Sequence, residues 1–139
     1  GGFPADHALR SLNSLCALRG RAGAVSVDLA EISLDTGRGT LYKWGSPASY
    51  LVTEAGAEQM GTATPPPGLS VPEGRETVER LSLRRGETLI LRSDGAGGEV
   101  PACLTGSPEA LAEAFLPGAG GCDDATVAAL RLMSLTSVT

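Results

Sequence analysis

Leu89-Ile90-Leu91-Arg92-Ser93-Asp94-Gly95 is a short apolar run that ends on an acidic turn. Continuous aliphatic residues mark an interior strand, and Ser-Asp-Gly marks the point where the chain leaves it. A carboxylate at that point is held in place by the strand beneath it. A second acidic corner follows downstream, Gly121-Cys122-Asp123-Asp124-Ala125-Thr126-Val127, beside another apolar run. Either corner alone is ordinary, because Ser-Asp-Gly is usually a turn and Asp-Asp is usually solvated. Converging carboxylates, however, are the ligands that hard divalent cations require.

Composition limits what such corners can serve. The chain has 139 residues, 42% of them hydrophobic and 19% charged, as in a folded globular domain and unlike a disordered chain. At this length one domain buries roughly two-thirds of its unfolded surface. Aromatic residues make up only 4%, so the core must be built from Leu, Val, Ile and Ala. Net charge is −5, and the 11 basic residues are scattered, with Arg84-Arg85 the only adjacent pair. That pattern argues against nucleic acid as a partner, since a basic stripe would be needed to meet its phosphates. Cys16, Cys103 and Cys122 form an odd set without metal-ligand spacing, and read as free thiols of a reducing cytosol. No apolar run approaches the length of a membrane span, and no signal peptide is visible. The start at Gly1-Gly2, without methionine, fits an expression scar or a processed end, with further sequence N-terminal to it in the cell.

The pattern along the chain predicts mixed helix and strand. Pro4 to Arg19 reads as a helix with Asp6 at its positive end, Gly20 as its stop, and an apolar stripe of Leu9, Leu12, Leu15 and Cys16. His7, the only histidine, lies in its first turn and reads as exposed. From Ala24 the period becomes two, with Val25, Val27 and Leu29 on one face and Ala30, Ile32 and Leu34 on the other, as for a strand covered on both sides. Asp28 shares the face of Ala30 and Ile32, so it needs a partner or a cation; a backbone group or an arginine is the expected one. Asp35 to Gly39 is a hairpin loop with two glycines free to take positive φ, and Thr40 to Trp44 returns. Ser49 to Thr53 and Ala57 to Gly61 read as another strand pair. Thr64-Pro65-Pro66-Pro67-Gly68 reads as a rigid loop. Val78 to Leu83 and Thr88 to Leu91, joined through Arg84-Arg85-Gly86-Glu87, read as a hairpin. Gly95 to Gly98 lacks the Lys-Ser/Thr closure of a phosphate loop. Ser107 caps a helix that starts at Pro108 and runs to about Leu116. Ala125 to Leu132 is ambiguous between helix and strand.

The order of these motifs resembles one family. Leu12-Asn13-Ser14-Leu15, Val27-Asp28-Leu29 to Asp35-Thr36-Gly37, Trp44-Gly45-Ser46-Pro47-Ala48-Ser49-Tyr50, Pro67-Gly68-Leu69, and Leu83-Arg84-Arg85-Gly86-Glu87 to Ser93-Asp94-Gly95 follow the arrangement of the stage II sporulation protein E branch of the protein phosphatase 2C-type, metal-dependent phosphatases. Asp123-Asp124-Ala125-Thr126-Val127 completes the match. The resemblance implies an α+β fold, a layered α-β-β-α sandwich of two antiparallel sheets flanked by helices, with the terminal stretch a strand. It also implies that residues 1–139 are the C-terminal portion of one such domain. The family's opening strand ends in Asp-Gly-Met-Gly, whose aspartate bridges two metals, and no stretch here matches it. The stretch between Gly95 and Ser107 is also shorter than the family's pattern, so a helix is expected to be missing there.

By the same resemblance, Asp94 and Asp123 are ligands of one of two Mn2+ or Mg2+ ions. Asp124 orients waters or its neighbour from behind them, and Gly95 supports the corner. The implied reaction is hydrolysis of phosphoserine or phosphothreonine on a regulatory partner protein of the anti-sigma-factor-antagonist type, by water activated between the metals. The implied setting is the bacterial cytoplasm, with a membrane anchor elsewhere in the parent protein not excluded. A single histidine leaves no Ser-His-Asp or Cys-His nucleophile. Without the bridging aspartate the isolated chain is expected to be inactive, and an exposed sheet edge is expected to favour a homodimer. The rival reading is a non-catalytic binding or scaffold module derived from the same fold.

Overall fold

The computed structural model describes residues 4–19, 25–62, 64, 66–67, 77–118 and 124–133. Along them run α1 (Ala5–Arg19), β1 (Val27–Ile32), β2 (Arg38–Trp44), β3 (Ser49–Thr53), β4 (Gly56–Met60), β5 (Thr77–Ser82), β6 (Thr88–Arg92), a 3-10 turn (Asp94–Ala96), α2 (Pro108–Phe115) and β7 (Val127–Arg131). The strands form two sheets, ordered β1-β2-β5 and β4-β3-β6-β7, and every pairing is antiparallel. The architecture is α+β, two antiparallel sheets with two helices, as the resemblance implied.

The apolar run of β6 explains the packing. Leu89 and Ile90 are both 0% exposed, yet they point to opposite faces. Leu89 joins Leu41, Leu51, Met60, Leu81 and Leu83 in a core that draws on both sheets. Ile90 joins Tyr50 and Val52 on the other face of the four-stranded sheet, where Leu111 and Phe115 of α2 cover them. A strand buried on both faces is apolar at its centre, Leu89-Ile90-Leu91, and its buried polar ends, Thr88 and Arg92, are hydrogen-bonded. At the start of α2 the cap is as expected: the Ser107 hydroxyl accepts from the Ala110 amide at 3.1 Å. The ambiguous stretch after Ala125 is strand β7, paired along β6 from Thr88↔Arg131 to Arg92↔Val127.

Four expectations are corrected. The stretches Val78–Leu83 and Thr88–Leu91 are strands, but they do not form a hairpin: β5 pairs with β2, while β6 pairs with β3 and β7. The Arg84–Glu87 turn is present, with the Arg84 amide donating to Glu87 Oε2 at 2.9 Å, but it carries the chain from one sheet to the other. Leu83, 2% exposed, is why. Its side chain enters the core between the sheets and its amide donates to the Gly37 carbonyl at 2.8 Å, which ties the end of β5 to the β1–β2 turn. Strand β1, expected to be covered on both sides, lies at a sheet edge, and its residues are half-buried except for exposed Glu31. In α1 the buried positions are Ala5, Leu9 and Cys16, while Leu15 is 58% exposed, because the inward face is narrower than the apolar stripe. Of the two loop glycines, only Gly37 takes positive φ, at 70°; Gly39 lies inside β2, where a side chain would strike the Glu31 carbonyl. Gly20 and most of the proline-rich segment lie outside the described residues.

Candidate metal centre

The end of β6 is fastened to the start of β7. Beyond the Arg92↔Val127 pair, the Ser93 amide donates to the Thr126 carbonyl at 2.9 Å, and the Thr126 amide donates to Ser93 Oγ at 2.8 Å. The chain then folds into the 3-10 turn that carries Asp94. The Ala96 amide donates to the Ser93 carbonyl at 3.0 Å, and the Gly97 amide to the Asp94 carbonyl at 3.2 Å. Asp94 is exposed, and its Oδ1 accepts from the Gly95 amide at 3.2 Å.

Gly95 brings the two acidic corners together. A methyl group in place of its α-hydrogen would fall on the carbonyl oxygen of Asp124, so the two backbones touch because no side chain intervenes. Asp94 and Asp124 are therefore neighbours across this contact, and both are exposed. Asp123 lies outside the described residues, as does Cys122. Among the described residues, no group of three or more His, Cys, Asp or Glu is placed to hold a metal ion. The donors at this corner are carboxylate oxygens at the solvent surface, which suits a hard divalent cation better than a soft one.

Replacing Gly95 with alanine is expected to force the corners apart. Overpacking of this kind costs about 1–3 kcal/mol, read as a lower urea midpoint with an unchanged slope. Gly118→Ala, where no heavy atom of the described residues lies within 4 Å of an added methyl, is the control. Equal effects from the two substitutions would mean that the contact at Gly95 is not tight.

Behind the corner lies a buried polar network. Asp28 faces the core between the sheets, directly across from Lys43 in the β1–β2 register. Lys43 Nζ donates to Asp28 Oδ1 and to Ser49 Oγ, both at 2.7 Å, and the Ser46 hydroxyl also donates to Asp28 Oδ1. The partner of Asp28 is thus a lysine, where a backbone group or an arginine was expected. Burial pushes the Lys43 ammonium below its ordinary value of 10.5, against the opposing pull of its hydrogen bond and charge attraction to Asp28. A cleft of about 240 Å³ opens beside this network, with Asp28 and Ser46 on one side and Ser93 and Thr126 on the other. Sequence reasoning missed Lys43. The available signal was its place two residues after Leu41 on the inward face of β2, where a lysine needs an anion.

Residues 1–115 match the family model for Stage II sporulation protein E (SpoIIE). The chain belongs to the SpoIIE family. Asp94 and Gly95 fall within the matched residues, and Asp123 and Asp124 lie beyond them. Among solved structures, the Mn-presoaked phosphatase domain of SpoIIE from Bacillus subtilis is similar at 22% identity and a TM-score of 0.66, over 96% of this chain and 68% of that one. A longer B. subtilis structure, the PP2C phosphatase domain with a fragment of the regulatory domain, aligns with a TM-score of 0.75 at 22% identity, over 94% of this chain and 44% of that one. The RsbU and RsbW domains of a Mycobacterium tuberculosis protein align with a TM-score of 0.71 at 19% identity, over 94% of this chain and 42% of that one. At these identities the likeness establishes the fold, that of a PP2C phosphatase domain. No curated protein matches the chain. Among the described residues, no helix of this SpoIIE-family domain is long and apolar enough to cross a membrane.

Proposed function

We propose that residues 1–139 are the C-terminal portion of a metal-dependent serine/threonine phosphatase domain, in which Asp94 and Asp123 hold one of two divalent cations. The observation that carries this reading is the backbone contact between Gly95 and Asp124, which joins the two acidic corners at one surface point. Gly95 makes that approach possible, and Asp124 stands behind the ligands to orient waters or its neighbour. In this reading the bridging aspartate would come from an Asp-Gly-Met-Gly segment, which this sequence does not contain. Asp28 does not take its place, because its carboxylate is already engaged by Lys43 and Ser46.

When bound, a pair of such ions neutralises the phosphate and makes water acidic enough to attack near neutral pH. Oxygen donors favour Mn2+ or Mg2+ over zinc or copper. The chain's own part is to present Asp94 on a fixed turn and to keep it beside the Asp124 backbone. The substrate we assign is phosphoserine or phosphothreonine on a regulatory protein of the anti-sigma-factor-antagonist type. SpoIIE-family membership supports that assignment, as does the similarity to a protein that carries RsbU and RsbW domains. An exposed sheet edge, such as that of β1, is a place where a further strand, or a second copy of the chain, would pair, and light scattering across a concentration series reports which of the two occurs.

Phosphatase assays test the assignment. The 139-residue chain with Mn2+ is expected to release no nitrophenol from an aryl phosphate above a metal-only blank. The chain extended to include the bridging aspartate is expected to dephosphorylate a phosphoserine protein. Strong turnover by the shorter chain that Asp94→Asn abolishes would overturn the half-site reading. An inactive extended chain that still bound its partner would favour the scaffold module instead.

A further inference from the structure

We infer that Arg92 is a positioning residue for the Asp94 corner, an inference that rests on the reading of Asp94 as a cation ligand. Arg92 closes β6 and directly precedes Ser93-Asp94-Gly95. It is only 5% exposed, so its guanidinium has left water and must be satisfied within the protein. Its hydrogen bonds go to carbonyl oxygens on two separate stretches of chain. Nε donates to Ala48 at 3.1 Å, in the connection between β2 and β3. Nη1 donates to Ala96 at 3.1 Å and to Gly98 at 3.4 Å, the last residue of the Asp94 turn and the residue just past its cap. The guanidinium carbon also lies 5.0 Å from the centre of the Tyr50 ring, which in turn packs on Phe115 of α2 at 5.5 Å between ring centres.

These contacts make Arg92 a further link between the acidic turn and the rigid part of the fold, beside the Ser93–Thr126 bonds and the Gly95–Asp124 contact. The turn is a single 3-10 turn, a short and weakly bonded unit. Its own backbone bonds, Ala96 to Ser93 and Gly97 to Asp94, fix its shape but not its placement against the sheet. Arg92 holds the far end of the turn from within, because its planar fork reaches the Ala96 and Gly98 carbonyls and Ala48 together while its face stays on Tyr50. A lysine ammonium is a point charge on a flexible stem and cannot do both. A guanidinium buried in the last position of β6 is costly unless its donors are met, and carbonyls of the turn and of Ala48 meet them.

The test measures Mn2+ affinity by the paramagnetic resonance of the free ion in the full chain, with melting temperature as the check on folding. Arg92→Lys and Arg92→Gln are compared with Phe115→Leu, which loosens the core without touching the turn carbonyls. Residues that orient metal ligands typically contribute about 10–100-fold in metal affinity, and that loss is expected in a folded Arg92→Lys protein. No further loss is expected when Arg92→Lys is combined with Asp94→Asn. Hydrogen exchange at the Ala96 and Gly97 amides, measured without metal, is expected to quicken in Arg92→Lys and to stay unchanged in Phe115→Leu. Wild-type affinity and wild-type exchange in Arg92→Lys overturn the inference. So do two Arg92 variants that both fail to fold, or an equal loss of affinity in Phe115→Leu, since the role is then purely structural. Mn2+ affinity unchanged by Asp94→Asn points instead to failure of the ligand reading; the metal-free exchange then decides separately whether Arg92 organises the turn.

Discussion

Replacing Lys43 with methionine is expected to lower the stability of the fold by about 3–5 kcal/mol, the usual effect of removing one partner from a buried ion pair. The Lys43 side chain is 0% exposed and that of Asp28 is 10% exposed. Among the described residues, the substitution leaves the Asp28 carboxylate between the sheets with only the Ser46 hydroxyl to answer it. Methionine fills the space of the lysine stem, so the loss reports the charge and the hydrogen bonds to Asp28 and Ser49 and not a cavity. Replacing both partners, Asp28→Leu with Lys43→Met, should recover much of the loss, since a well-packed apolar pair is often as stable as a buried ionic one. Urea titrations of the two single variants and the double variant measure this directly. A single-variant loss below about 1 kcal/mol would place the pair with the solvent-screened bridges of protein surfaces.

The same residue predicts a dependence on pH. Burial, the larger influence, holds the folded-state proton affinity of Lys43 below its ordinary value of 10.5. Between the two values the unfolded chain binds more proton than the folded one, so the contribution of Lys43 to stability grows as pH rises through that window. The stability of the wild type relative to Lys43→Met should therefore increase as pH rises from the lowered folded-state value towards 10.5. A difference that shrank on the way up would mean that attraction to Asp28 outweighs the cost of burial.

The second large effect concerns the acidic corner. Mn2+ should raise the melting temperature of the wild type and leave Asp94→Asn and Asp123→Asn unchanged. A ligand that binds only the folded state adds about 2.7 kcal/mol at a hundredfold excess over its dissociation constant. Two or three carboxylates are a sparse site for a hard divalent cation, so the excess needed is large. The metal-free comparison supplies an independent sign. Converging carboxylates repel when no cation lies between them, so Asp94→Asn should be no less stable than the wild type in chelator. An equal rise with Mn2+ in all three proteins would make the two corners unrelated turns.

Much of this arrangement follows from short stretches of chain. Ser107-Pro108 starts α2 because a hydroxyl and a proline satisfy the first turn of a helix wherever it packs. Leu89-Ile90-Leu91 announces an interior strand because only apolar residues suit burial on both faces. The acidic corners were legible as types, a carboxylate at a strand end and a carboxylate pair, and the order of motifs carried the family and with it the fold. Tertiary structure decided the pairings. Nothing local tells β5 and β6 apart from a hairpin; the difference is made by Leu83, drawn into the core between the sheets and tied to Gly37. The alanines of β7 permit helix or strand until β6 offers an edge to pair with. Asp28 advertised its need for a partner, but that Lys43 meets it depends on the β1–β2 register and on the second sheet that buries both. Gly95 reads as a turn residue until the Asp124 carbonyl is found against it. Capping and periodicity act over a few residues and are written in sequence; register, crossover and the company of a buried charge are set by which distant surfaces exclude water together.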